Sequence, residues 1–162
     1  MKNQDQECCP EFEVSKWDNK TFEWDRKPFI KENIPTFFHT PFPPMISKKM
    51  KKMCELADQA QANIPDLTDA LVLFRDPSPF KSEIYYSVAK EVEGANNVSL
   101  SGSFVAGVFD GPYSAIPKFV KEMKHRQANK NIEDSDFYIH YAYCPECVKK
   151  FGHNYMIIFA KV

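Results

Sequence analysis

No stretch of the chain comes near the ~20 consecutive apolar residues that a membrane-spanning helix needs, and a helical membrane protein is not expected. The opening residues MKNQDQECCPEFEV lack the apolar centre of a secretory leader. An excess of one charge is missing too. With 21 basic and 22 acidic residues and a formal net charge of −1, nothing draws the chain to a nucleic-acid backbone, and no nucleic-acid or membrane partner is expected. The densest basic run, Lys48, Lys49, Lys51 and Lys52, is short and reads as the solvated face of a helix. Neither a phosphate-binding loop nor a serine-histidine-acid pattern occurs, and GANN and SGSF read as turns. Without a leader the expected compartment is the cytoplasm, where stable disulfides are uncommon. The five cysteines are therefore expected to be metal ligands, reactive thiols or buried apolar residues.

What is present is an aromatic-rich globular chain. Its 162 residues suit one domain that can bury a core without disulfides. Hydrophobic residues make up 43% and charged residues 27%, the profile of a folded domain. The 14 Phe and 7 Tyr can fill a core or line a pocket for a flat organic ligand.

Residues 1–33 read as a polar, irregular N-terminal arm, anchored by the near-repeat Trp17-Asp18 and Trp24-Asp25. From residue 34 the apolar pattern becomes regular. IPTFFHT (34–40) is a strand candidate, and Pro44 opens a helix that places Met45, Met50, Met53, Cys54 and Leu56 near one face. Cys54 is expected in the core. ALVLFRD (70–76) and SEIYYSVAKEV (82–92) are strands. The second half repeats the order: strand 102–109, helix 114–127, strand 136–143, strand 154–162. The halves also align in letters, with Phe38, Pro41 and Phe42 over Phe109, Pro112 and Tyr113. The expected fold is α+β: duplicated strand-helix-strand-strand units, about 34–95 and 100–162, forming one curved, mainly antiparallel sheet with two helices on one face.

The strand leading into FDGPYSAIPKFVKEM, the strand pair broken by DPSP and the last pair broken by a proline turn resemble the GyrI-like small-molecule-binding family over roughly residues 34–162. In more detail the chain is similar to a bacterial subgroup of that family, often labelled hydrolases. Cys8, Cys9, Pro10, Trp17, Asp18, Cys144, Pro145, Cys147, Lys149, Gly152, Asn154 and Tyr155 carry the subgroup's pattern here. The resemblance implies a curved sheet with a ligand cleft between the halves, opposite the helices. It implies binding of amphipathic or cationic molecules, gyrase inhibition, or hydrolysis of reactive natural products. No helix-turn-helix segment is attached, which argues against a regulator. The glutamate usual on the last strand is replaced by YMIIF, which puts both cation binding and water activation by that acid in doubt.

Cys144 and Cys147 stand in a Cys-x-x-Cys pair, and Cys8 and Cys9 could complete a four-thiolate zinc site, with His153 as a substitute for one of them. Such a site would staple the arm to the last hairpin. CPECVKKFG also reads as a short helix with Cys144 at its cap and Gly152 past its end, which would favour a reactive thiol. Unligated reduced thiols are the third reading.

On SEIYYSV, Glu83, Tyr85 and Ser87 share one face and Ile84, Tyr86 and Val88 the other. The second set is expected under the helices. Glu83 and Tyr85 are then the catalytic candidates, the carboxyl raised by desolvation for acid–base work or for holding a cation. His39, Phe37, Tyr138, His140, Tyr141 and Trp24 are the ligand-binding candidates. Glu83→Gln is expected to change stability by less than about 1 kcal/mol. The expected function is a stand-alone binder of small aromatic or amphipathic molecules, with hydrolysis of a reactive xenobiotic or natural product left open. A non-catalytic sequestering protein and a gyrase-inhibitor type of interaction protein are the alternatives. Neither the ligand nor the oligomeric state is legible.

Overall fold

A computed structural model of the chain describes residues 9–37, 40–41, 43–78 and 80–162. In chain order the elements are α1 (Val14–Trp17), β1 (Lys20–Phe37), β2 (Thr40–Pro41), α2 (Pro43–Gln59), β3 (Val72–Ser78), β4 (Lys81–Ser87), β5 (Asn97–Asp110), α3 (Ile116–Arg126), β6 (Phe137–Tyr141), α4 (Pro145–Phe151) and β7 (Tyr155–Lys161). The class is α+β. The sheet runs β2-β1-β4-β3-β6-β7-β5, every pairing is antiparallel, and β1 also pairs with β5. The curved sheet thus closes into a six-stranded barrel, with β2 outside the ring. No helix among the described residues is long and apolar enough to cross a membrane.

Closure depends on β1. This 18-residue strand lies against β5 over Lys20–Ile30 and against β4 over Phe29–Pro35. Much of it was expected to be irregular arm. It carries Pro28 and Pro35, which cannot donate to a ladder, and charged residues at most other turns of the pattern. A β-bulge between Trp24 and Lys27 explains the rest: Trp24 opposes Gly102 and Lys27 opposes Leu100, so β1 holds one extra residue there. Arg26, with φ of 49°, takes the left-handed turn within it. Before the bulge Phe22 and Trp24 face inward; after it Phe29 does, while Ile30 and Ile34 face out. A period-2 pattern that changes phase midway hides from sequence inspection.

The barrel interior is an aromatic core. Phe29, Phe104 and Phe159 are fully buried, with Trp17, Leu73, Tyr85, Tyr138 and Ile157 around them. Trp24 stacks at 4.3 Å from Phe104, and Phe104 lies 5.8 Å from Tyr138. Each fully buried phenyl ring contributes on the order of 2–3 kcal/mol of apolar transfer. The inner face that was expected to be an open cleft is therefore largely filled, with Phe12, Trp17, Phe22, Trp24 and Phe29 of the segment before residue 33 packed among the strand residues.

The outer face carries the two long helices. α2 sets Ile46, Met50, Met53 and Ala57 on Ile30, Ile34, Ile84, Tyr86 and Val88. α3 sets Ile116, Phe119, Val120 and Met123 on Phe109, Met156, Ile158 and Ala160. Gly107 allows this approach, because a Cβ there would come within 2.6 Å of the Met123 sulfur. Cys54 is not in the core as expected: it is exposed, with Sγ 3.9 Å from Asp58. The buried stripe runs through Met53 and Ala57, and Cys54 sits one 100° step round from it. In chain order β1-β2-α2-β3-β4 is followed by β5-α3-β6-α4-β7.

Candidate functional site

The inward residues separate into two ends. Arg75 of β3 lies opposite Glu83 of β4, while Leu73 lies opposite both Tyr85 and His140. Positions 71 and 75 are roughly 13 Å apart along the strand.

At the first end Glu83 is only 2% exposed. Its Oε1 accepts from Arg75 Nη1 at 2.5 Å and from Tyr85 Oη at 3.2 Å; its Oε2 is paired with Lys31, with Lys81 Nζ 3.8 Å away. The Arg75 Nε donates to the Ser135 carbonyl at 2.6 Å, and the guanidinium lies 5.7 Å from the Tyr138 ring. Burial alone would raise the Glu83 carboxyl. The hydrogen bonds and charges of Lys31 and Arg75 outweigh it and hold the carboxyl below the usual range. The carboxylate expected to be raised is instead a paired anion. Burial, with the Glu83 charge, pushes Tyr85 up to about 12, and burial raises Tyr138. Neither phenol ionises near neutrality.

At the second end is a cavity of about 290 Å³ between residues 9–17, the loop after α2 and the barrel rim. Phe12, Trp17, Leu71 and Tyr86 supply apolar wall, and Ser87 and His140 supply polar atoms. Ser87 Oγ accepts from the Leu71 N–H at 2.8 Å. The Val72 N–H lies 3.1 Å from His140 Nδ1. Burial drives the His140 pKa down to about 4, so the ring is neutral at pH 7. The Val72 carbonyl oxygen lies 3.3 Å from the same Nδ1, and which of the two Val72 groups it bonds depends on the tautomer. Glu11 and Glu13 stand among the lining residues with Lys16, whose ammonium is committed to Thr68 and Asp69.

Next to the cavity, Cys9, Cys144 and Cys147 bring their sulfurs within 4.8 Å of one another. Cys9 and Cys147 are buried, among Phe12, Tyr143, Phe151 and Tyr155. α4 positions two of them as the sequence suggested: Cys144 is its N-cap, Pro145 its first residue, and Gly152, at φ 72°, its left-handed stop. Three thiolates around one zinc at ~2.3 Å would be about 3.8 Å apart. The donor set fits a metal ion with small side-chain shifts. Burial, which outweighs the opposing Cys144 N–H and is reinforced by the neighbouring thiols, pushes the Cys9 thiol far up, so without a metal it stays protonated.

The expected site residues scatter accordingly. Glu83, Tyr85 and Tyr138 meet at the first end, and His140 lines the cavity. Trp24 is half-buried, packed against the barrel core. Tyr141 is on the outer face, 5.4 Å from Phe74 and 5.5 Å from Tyr113. Phe37 is 63% exposed, with its ring 6.5 Å from Phe80. His39 and Cys8 lie outside the described residues. His153 does not join the thiols: its Nδ1 is 2.7 Å from Asp110 Oδ2, and Asp110 Oδ1 also accepts from the Asn154 N–H at 2.9 Å. Arg75 and Lys31 escaped sequence reasoning because nothing local marks them as partners of Glu83. Ser87 was legible on the Glu83 face by alternation.

A family model described as "Bacterial hydrolase" matches residues 1–162. None of the curated proteins matches the chain. Among solved structures, SAV2435 bound to tetraphenylphosphonium is similar, with TM-score 0.54 and 15% identity over 88% of this chain and 92% of that one. A provisionally assigned bacterial transcription regulation protein from Staphylococcus aureus MU50 gives a TM-score of 0.48 and 14% identity over 90% of this chain and 98% of that one.

Proposed function

The chain belongs to the bacterial hydrolase family, and from that premise we propose that it binds small aromatic or amphipathic molecules in the cavity at the His140 end of the barrel. The observation that carries this reading is the cavity itself: about 290 Å³, aromatic-walled, and floored by polar atoms of Ser87 and His140. Two carboxylates, Glu11 and Glu13, against a single committed lysine favour a ligand with a positive group, held over Trp17 or Tyr86. The GyrI-like resemblance and the tetraphenylphosphonium bound to SAV2435 support the same ligand class. Hydrolysis of a reactive electrophile is the second reading, favoured by the family's description. In this reading Glu83 and Tyr85 hold the barrel closed and do not touch the ligand. The twofold strand-helix-strand-strand order is read as a duplicated unit. Zinc is the metal read for the thiol cluster, with Cys8 as the fourth ligand.

Tetraphenylphosphonium titrated against tryptophan fluorescence tests the binding. Ala142→Phe and Ala70→Leu both fill the cavity and should weaken binding at least about 10-fold with little loss of stability. Binding unchanged in both variants would place the ligand elsewhere, and the Glu83 end would become the site to test. Turnover of activated electrophiles by the wild type, abolished in the same variants, would establish the hydrolytic reading.

A further inference from the structure

The wall of the cavity and the thiol cluster share a residue. Cys9 lines the cavity and is one of the three clustered sulfurs. From Cys9 to Glu13 the wall is coil outside the sheet, followed by the single turn of α1. Its attachments among the described residues run along the segment. At one end the Cys144 N–H donates to Cys9 Sγ at 3.4 Å. In the middle the Phe12 N–H donates to Tyr143 Oη at 2.8 Å, and the Phe12 ring is 5.4 Å from Tyr155. At the other end Lys16 reaches Thr68 and Asp69, and Trp17 is buried in the barrel core. Among the described residues, Trp17 and Lys16 secure the C-terminal end; the N-terminal end is held by the sulfur hydrogen bond, the Tyr143 phenol and the packing of Cys9 and Phe12 with Tyr143, Cys147 and Tyr155.

We propose that Cys9, Cys144 and Cys147 form a thiolate site for a soft divalent metal ion whose occupancy clamps the cavity wall, so that metal and ligand bind cooperatively. The proposal rests on reading the cavity as the ligand site. Metal binding deprotonates the three thiols, releases their protons to solvent and fixes Cys9 against α4. A ligand that enters a preformed cavity does not have to order residues 9–13, whereas in the metal-free chain it does. Linkage makes the effect reciprocal: whatever factor the metal adds to ligand affinity, the ligand adds to metal affinity. Cys54, exposed on α2, stands apart from the cluster and takes no part.

The test uses the full chain, purified without an affinity tag under reducing conditions, in zinc-loaded and chelator-stripped forms. Tetraphenylphosphonium should bind the zinc form at least 10-fold more tightly. Zinc, measured by competition with a chromophoric chelator, should bind by the same factor more tightly when tetraphenylphosphonium is saturating. Amide exchange of residues 11–13 should slow at least 10-fold on zinc loading, a readout independent of any ligand. Cys147→Ser should lose zinc and the protection, and Cys54→Ser should keep both. Equal ligand affinity in the two forms overturns the coupling while leaving the cavity reading intact. No ligand binding to either form overturns the cavity reading, and the coupling with it; amide exchange then still judges the clamp. Stoichiometric zinc with unchanged exchange overturns the clamp, and no zinc with all five thiols of the chain titratable overturns the site.

Discussion

The two ends of one barrel interior solve the same problem in opposite ways. At the Glu83 end a buried carboxylate is surrounded by Arg75, Lys31 and Lys81, roofed by Tyr85 and Tyr138, and has all its capacity used. At the His140 end the floor groups, Ser87 and His140, are neutral, the charged Glu11, Glu13 and Lys16 stand in the wall, and space is left beside them. Charge satisfied by charge makes a rigid closure; a neutral polar floor under apolar walls can accept a ligand at little desolvation cost. Burial alone therefore did not identify the site. Glu83 is more buried than His140 and is the less available of the two.

The largest expected break in this contrast is Glu83→Gln. It leaves Arg75 and Lys31 facing each other without their anion, and should cost about 3 kcal/mol in urea or thermal unfolding, since removing one member of a buried pair strands the other charges. This replaces the expectation of a near-neutral change. A loss under about 1 kcal/mol would mean that solvent screens the group and that the end is open.

Acid should distinguish the ends in sequence. His140 has a folded pKa of about 4 against an ordinary 6.5. Between those values the unfolded chain binds the proton and the folded one does not, so stability rises with pH. The contribution is complete above pH 6.5 and is lost as pH falls to 4, by about 3 kcal/mol at most. Glu83, whose folded pKa is depressed, keeps its contribution above its unfolded value and loses it only as pH falls through the folded one, below about 4.5. Unfolding free energy against pH should therefore fall in two stages, and His140→Gln should flatten the first stage alone. An unchanged first stage in that variant would assign the slope to other groups.

The smallest effect is Tyr85→Phe, which removes the Oη hydrogen bond to Glu83 and keeps the ring against Phe29 and Tyr138. About 1 kcal/mol is expected, with ligand binding at the other end unaffected. A comparable loss of tetraphenylphosphonium binding would show that the ends communicate or that the ligand sits at Tyr85.

The sequence by itself determined what neighbours along the chain decide. Alternation put Ile84, Tyr86 and Val88 on one face and Glu83, Tyr85 and Ser87 on the other, and the structure packs the first set with α2. Proline at the first helical position and glycine past the last fixed α4 and so brought Cys144 and Cys147 to one turn. These are effects of strand pleat, φ limits and helix pitch, which act over four or five residues. Only the tertiary structure decided the rest. β1 closes the barrel through a bulge and past two prolines, because pairing with β4 and β5 together outweighs its poor local pattern. That closure fills the expected cleft with Phe22, Trp24 and Phe29, brings Lys31 to Glu83 across 52 residues of chain, and leaves the open space beside His140 instead. Charge pairing and cavity volume depend on which distant residues arrive together, and no local periodicity encodes that.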